Sequence, residues 1–434
     1  MASTYLTRTF GSAGNRQSWT WSGWIKKSKV YNSSASSDRE VWFGGYSASN
    51  DTDWLEFGTQ GDILFATSSA TSTTSTQVLR DVNGWYHALV NYNGSNLKFY
   101  INNELFKDST DFSGNRGINV AGKHTIGAIA TDQSIRRFNG VMSHVNFIDG
   151  TVYTPSAFGE YDANGVWKIK TSPSVTYGTN GFFILKDGNS VTDQSGNSNN
   201  FTVAGGTLTN TEDSPSNVFA TFSPLVPRTS TGSPIIPDFS NGNLSASFPS
   251  TPNRNAPSTL AVSEGKYYAE FKMTSATDGD GTFYIGVNCL ADYTNGFLGD
   301  QMYAYVDDGR KKTLGTYASY GNSYTNNDII GIAFDATNGT VWFSKNGTWQ
   351  NSATQTEIEN GTTTNAAFTS LDTSKHWNIT ATGYNGKSCS VNFGNGYFGT
   401  TAVASAGTNA SGIGIFEYDV PTGYTALSTK GLNL

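Results

Sequence analysis

Along much of the chain apolar and polar residues alternate with a period of two. In "LKFYINN" Leu97, Phe99 and Ile101 share one face while Lys98, Tyr100 and Asn102 share the other, the pattern of a strand with one buried side. "DIIGIAFDATNGTVWFSKNGTWQ", residues 328–350, repeats it: Ile330, Ile332 and Phe334 alternate on one segment, Val341 and Phe343 on the next. Asn338-Gly339 joins these two and Asn346-Gly347 starts the following turn, because both residue types accept the left-handed backbone of tight hairpins. Similar segments recur from "SWTWSGWIKK" and "REVWFGGY" to "KHTIGAIA" and "GVMSHVNFID", and again from "KYYAEFKMT" and "TFYIGVNC" to "WNITATGY" and "CSVNFGNG". Regular short strands between Gly- and Asn-rich turns predict an all-β protein of sandwich or jelly-roll type.

At 434 residues the chain exceeds the size at which a single core keeps growing, so two domains are expected. Seven of its 11 prolines fall between Pro224 and Pro257, a density that no central strand tolerates. The expected organisation is therefore a first sandwich over 1–220, a Pro-rich linker over 221–237 and a second sandwich over 238–434. With 22 Tyr, 26 Phe and 10 Trp the chain has ample surface to bury despite its polarity. Only 14% of residues are charged and the net charge is -7, which argues against nucleic acid as a partner. No apolar run approaches the ~18 residues of a membrane span, and "MASTYLTRTFGSAGNRQSW" lacks the apolar segment of a signal peptide. A soluble product without membrane insertion is the expectation. Cys289 and Cys389 lie in strand-like text and read as buried free thiols, with room left for them to lie side by side.

Taken in order, "SWTWSGWIKK", "GWYHALVNYNGSNLKFYINNELF", "HTIGAIA" and "RRFNGVMSHVNFIDG" resemble a laminin-G-like, concanavalin-type jelly roll, over residues 15–155. "DQSGNSNNFTV", residues 193–203, looks like text that usually opens such a domain; placed after the body, it implies that the chain returns there to add strands. "GKYYAEFKM", "FYIGVN", "DIIGIAFDATNGTVWFSKNGTW" and "CSVNFG" resemble a SPRY domain, another concanavalin-like sandwich. The opening "YLTRTFGSAGNRQSWTWSGWIKKS" and the ending "FEYDVPTGYTALSTKGL" look like the ends of structural proteins of tailed bacteriophages. These resemblances imply two concanavalin-like jelly-roll sandwiches in tandem in a non-enzymatic virion component, such as a fibre, tail-tip or head-decoration protein. They imply assembly in the host cytoplasm with other virion proteins, as a homo-oligomer, and attachment to a host-surface glycan. A purely structural decoration or fibre subunit is the alternative, and a glycan depolymerase a weaker one.

The candidate chemistry bears on that choice. Retaining glucanases of the concanavalin-like fold carry a Glu-x-Asp-x-x-Glu strand, and their mechanism needs two carboxylates ~5 Å apart, which alternate strand positions provide. Here the acids come only in pairs: Asp38 with Glu40, Asp53 with Glu56, Glu160 with Asp162, and Glu417 with Asp419. His87, His124, His144 and His376 show no i, i+4 spacing of a helical zinc site, and no nucleophile-elbow text accompanies them. Asp278 and Asp280 in "ATDGDGT" form a weak calcium candidate, as do Asp51 and Asp53 in "SNDTDW", without the bidentate Glu of a complete loop. Glycan binding suits the remaining polar and aromatic loops, since a flat ring stacks on a sugar face while Asn, Asp and amides take its hydroxyls. The candidates are Tyr46, Asp51, Asp53 and Trp54 in the first sandwich and Tyr317, Tyr320, Tyr324 and Trp349 in the second. "YASYGNSYTNND", residues 317–328, has the composition of an adaptable binding loop.

Overall fold

The strand Trp19–Lys27 shows what the alternation builds. Trp19, Trp21 and Ile25 enter a core shared with Phe43, Leu55, Phe57, Val90, Phe99 and Phe147, while Thr20, Ser22 and Trp24 fall on the opposite face. A computed structural model of the protein describes residues 4–31, 35–47, 51–68, 72–186, 188, 190–225, 228–229, 234–249, 253–276, 279–289 and 302–434. The chain forms two units, Met1–Asn210 with Ser214–Ser216, and Thr211–Asp213 with Asn217–Leu434.

The first unit is a sandwich of two antiparallel sheets. One runs Thr202–Gly205, Tyr5–Phe10, Gly122–Ile126, Glu40–Tyr46, Thr52–Phe57, Asp62–Thr67, Thr73–Val78; the other runs Phe182–Ile184, Gly140–Asp149, Trp19–Lys27, Tyr86–Tyr92, Leu97–Ile101, Glu104–Ser109. The stretch 193–205 does return to this sandwich: Asp193 accepts the Phe183 N–H at 2.8 Å, and Thr202–Gly205 lies beside the opening strand. A buried carboxylate gathers the loops at one end. Asp149 accepts from the Asn15 and Asn180 backbone N–H groups and from the Asn119 amide, at 2.7, 3.0 and 2.7 Å, so three distant segments share one acceptor.

In the second unit one sheet runs Asp238–Ser240, Ser245–Phe248, Lys387–Asn392, Lys266–Ser275, Ile329–Asp335, Thr340–Lys345, Thr348–Trp349, with Thr425–Ala426 pairing in parallel onto Lys266–Ser275. Its partner runs Arg254–Val262, Trp377–Gly383, Phe283–Asn288, Met302–Val306, Arg310–Thr313, Thr316–Ser319. Between them Ile330, Ile332, Phe334, Val341 and Phe343 are all buried, as their spacing predicts. Asn346 and Gly347, both at positive φ, make the two-residue turn into Thr348–Trp349. Cys289 and Cys389 are buried free thiols in this core.

The expected domain limits need correction. Phe219, Ala220 and Phe222 are buried among second-unit side chains, so that unit starts ahead of the prolines rather than at residue 238. Proline density therefore does not mark passage between units. Pro257 itself lies in the edge strand Arg254–Val262, at a break in register between Pro257 and Ala261, one of the few places where a sheet accepts a residue without an N–H.

An internal carboxylate helps to hold the C-terminal segment, beside the pairing of Thr425–Ala426. Glu270, fully buried, accepts from the Glu417 and Tyr418 backbone N–H groups at 2.8 and 2.9 Å, from the Tyr268 hydroxyl at 3.2 Å and from the Asn392 amide at 3.3 Å. Glu270→Ala leaves those donors without an acceptor and should destabilise the second unit by about 2–4 kcal/mol. Amide exchange over residues 415–420 should rise with it in hydrogen-exchange mass spectrometry, and an unchanged denaturation midpoint would contradict this role.

Candidate functional site

Glu160 stands exposed 3.8 Å from Lys170, and the other paired acids singled out in the sequence are taken up in local bonds. Arg39 and Arg136 flank the fully buried Glu56 at 3.1 and 3.3 Å. Asp38 pairs with Lys29 at 3.2 Å, and Glu40, raised to about 7 by burial, accepts from the Tyr31 hydroxyl at 2.6 Å. Glu417 accepts the Ala404 N–H at 2.8 Å and Asp419 the Thr408 N–H at 2.6 Å. Such partners fix a carboxylate as a structural acceptor.

Among the described residues two Ser–His pairs lie within hydrogen-bond reach: the chain neighbours Ser143 Oγ and His144 Nδ1, 2.7 Å apart, and, between strands, Ser22 and His87. Ser22 Oγ lies 2.8 Å from His87 Nε2, deep under the outer face of the six-stranded sheet of the first unit. Here the indole N–H of Trp167 donates to His87 Nδ1 at 3.1 Å. A neutral imidazole that accepts at Nδ1 carries its proton at Nε2, so it donates to Ser22 and cannot take a proton from it. Burial also lowers the His87 pKa to about 3, so the ring stays neutral. His124 is fixed in the opposite tautomer: Asn119 N–H donates to Nε2 at 3.1 Å and Nδ1 faces the Gly122 carbonyl at 3.2 Å. Burial holds its pKa down to about 4.

Two of the four calcium-candidate aspartates, Asp51 and Asp280, pair with protein cations. Asp278 lies outside the described residues. Asp280 pairs at 3.1 Å with the buried Lys387 ammonium, which reaches Asp307 at 3.3 Å, so a positive charge already stands among these oxygens. Asp51 pairs with Arg16 at 3.0 Å, and Asp53, raised to about 6 by burial, accepts the Gly117 N–H. Among the described residues no group of three or more His, Cys, Asp or Glu gathers as a metal site would require.

The expected glycan loops are dispersed by strand alternation. Tyr46 ends the strand Glu40–Tyr46, half-buried. Asp53 and Trp54 are neighbours in Thr52–Phe57 and so face opposite sides of the sheet; Trp54 lies half-buried with the Arg136 guanidinium 5.6 Å from its ring. In the second unit Tyr320 and Tyr324 are core residues, contrary to the binding-loop expectation. Their rings pack 5.3 and 5.1 Å from that of Tyr305, and their hydroxyls meet the Phe343 N–H at 3.2 Å and the Tyr305 carbonyl at 3.1 Å. Trp349 is half-buried 6.4 Å from Tyr268, on the other sheet.

Tyr317 alone of the second-unit set stands on the outer face of the six-stranded sheet, half-buried against Tyr284, Met302, Ala304 and Val306 and flanked by two cations. It pairs in register with Lys312 across a turn whose central residues, Leu314 and Gly315, have positive φ. The Arg310 guanidinium lies 4.2 Å from its ring centre and the Lys312 ammonium 5.0 Å, with that ammonium 5.2 Å from the Tyr284 ring. The Tyr284 and Tyr317 hydroxyls are 3.1 Å apart, and Asp308 fixes Arg310 through Nε at 2.6 Å. Arg310, Lys312 and Tyr284 were not singled out in the sequence. The available signal was Arg310 and Lys312 at alternate positions of "GRKKT", facing Tyr317 across a Gly turn.

Residues 2–156 match the family described as the Concanavalin A-like lectin/glucanases superfamily, and residues 266–396 match the SPRY domain. Among solved structures, the SPRY domain of human HERC1 aligns at 18% identity over 34% of this chain and 87% of that one, with a TM-score of 0.28. A putative carbohydrate binding protein from Bacteroides ovatus aligns at 16% identity and a TM-score of 0.32, over 46% of this chain and 56% of its own. A SAP-like pentraxin from Limulus polyphemus aligns at 13% identity over 35% and 73% of the two chains, with a TM-score of 0.29.

The fixed tautomer is open to measurement. Imidazole nitrogen shifts should show His87 neutral and protonated at Nε2 from pH 8 down to about 4, where a catalytic base would titrate near its ordinary value of ~6.5. Because the folded pKa of both buried histidines lies below the unfolded value, their contribution to stability is complete above pH ~6.5 and is lost as pH falls towards their folded values. Over the same range the carboxyls of Glu40 and Asp53, raised to about 7 and 6 by burial, act with the opposite sign, so the tautomer and not the pH dependence of stability is the diagnostic.

Proposed function

We propose that this tandem of a concanavalin A-like domain and a SPRY domain is a non-enzymatic virion component of a tailed phage, attaching the particle to a host-surface glycan. The virion assignment rests on the likeness of the opening and closing segments to phage structural proteins. It carries with it assembly in the host cytoplasm, homo-oligomerisation and contact with other virion proteins.

The observation that carries attachment is the Arg310 guanidinium 4.2 Å over the Tyr317 ring, on an outer sheet face. The guanidinium covers one face of the ring, so a sugar would meet the flat guanidinium–ring stack, whose N–H donors and hydroxyl match a hydroxyl rim. Two further features favour binding over hydrolysis: the buried acids serve as structural acceptors, and the Ser22–His87 pair runs its proton the wrong way.

Purified full-length protein should bind host cells or a glycan array. Tyr317→Ala and Arg310→Ala should each weaken that binding roughly five- to tenfold, the worth of one stacking contact. Uniform failure to bind, with the protein buried against neighbours in the particle, would favour a purely structural subunit. Release of reducing sugar from host polysaccharide would overturn the non-enzymatic reading.

A further inference from the structure

Four aromatic rings form a continuous file in the first unit. Trp24 and His87 stack with centroids 5.2 Å apart, His87 and Trp167 stack at 5.9 Å, and Trp167 meets Tyr161 edge-on at 5.0 Å. The file starts on the buried outer face of the six-stranded sheet and ends in solvent, where Tyr161 is 49% exposed. Its last two members face each other across the hairpin Gly159–Tyr161 and Trp167–Ile169.

The hairpin holds these rings in one arrangement. A Cβ on Gly159 would lie 2.4 Å from the Trp167 ring, so only glycine lets the indole rest on the opposite strand. The indole N–H is tied to His87, as described above. Asp162 closes the turn by accepting the Asn164 and Val166 N–H groups, both at 2.9 Å. Tyr161 thereby stands as a step against Trp167, at an interplanar angle of 68°.

The flank of the step is polar and charge-balanced. On the other face of the hairpin Glu160 lies 3.8 Å from Lys170 and Asp162 lies 3.7 Å from Lys168, so two acids offset two bases. The Asn103 amide approaches the Tyr161 hydroxyl at 3.5 Å. Beside the step, Val166 is 50% exposed. A rigid aromatic step with exposed apolar edges and no net charge on its flank suits a ligand with an apolar face, a hydroxyl rim and no charge.

We infer that the Tyr161–Trp167 step is a second saccharide-binding site, specific for uncharged pyranose units and separate from the cation-braced Tyr317 surface. This inference rests on the reading of the protein as a glycan binder, and its test separates the two. The full-length protein, Tyr161→Ala, Tyr161→Phe and Tyr317→Ala are applied to an array of neutral glucan, mannan, galactan and N-acetylglucosamine oligomers beside acidic glycans. Tyr161→Ala should lose roughly five- to tenfold in affinity for a neutral oligomer, while Tyr161→Phe, which keeps the ring, and Tyr317→Ala retain it. Neutral-glycan binding undiminished in Tyr161→Ala would overturn the step while leaving glycan binding itself intact. Binding of acidic glycans alone would do the same, whereas binding to nothing on the array would remove both readings. Self-association of the full-length chain that Tyr161→Ala abolishes, without neutral-glycan binding, would mark the step as a contact between copies and overturn it too.

Discussion

A strand has two faces, and this protein gives the inner one almost entirely to aromatic and aliphatic packing. That constraint governs everything else. Trp19, Trp21, Trp42 and Phe43 fill one sandwich and Phe271, Ile332, Phe334 and Phe343 the other, so the outer faces and the turns are where a partner can be met. The same alternation separates Asp53 from Trp54 and sets Arg310, Lys312 and Tyr317 on a common side. Burial on this scale contributes far more than any single polar contact, but it is non-directional. Polar clasps supply direction: Asp149 for the loops of the first unit and Glu270 for the C-terminal segment of the second.

Several polar groups that look reactive in the sequence serve that clasping role. Glu56 between two arginines, Lys387 between two aspartates, and His87 between Ser22 and Trp167 are each saturated by their neighbours. A buried charge without such partners would cost several kcal/mol, so saturation is the condition for keeping these residues inside. It also leaves them little freedom for proton transfer. Two aromatic side chains on outer surfaces are braced instead: Tyr317 by Arg310, and Tyr161 by the file that runs back to Trp24.

Much of the fold was legible in the sequence. Period two placed Ile330, Ile332, Phe334, Val341 and Phe343 in the core, and ordered likeness to two known sandwiches gave the architecture. Proline density misled, because an edge strand with a break in register accommodates Pro257, and Phe219 to Phe222 already belong to the second core. The sites were far less legible. Tyr320 and Tyr324 share the composition of a binding loop with Tyr317, yet only tertiary packing decides that two of the three turn inward beside Tyr305. Tyr161 and Trp167 went unnoticed because their significance depends on His87, about 80 residues earlier, lying beneath them.

The central claim is that function resides on braced aromatics of the outer faces and not in the buried polar groups. Its most direct test is a crystal structure of the full-length protein with a bound oligosaccharide from the host surface. Intact sugar rings on the Arg310–Tyr317 stack or on Tyr161 are the expected result. Sugar bound away from both, or a cleaved glycosidic bond beside a carboxylate, would contradict the account.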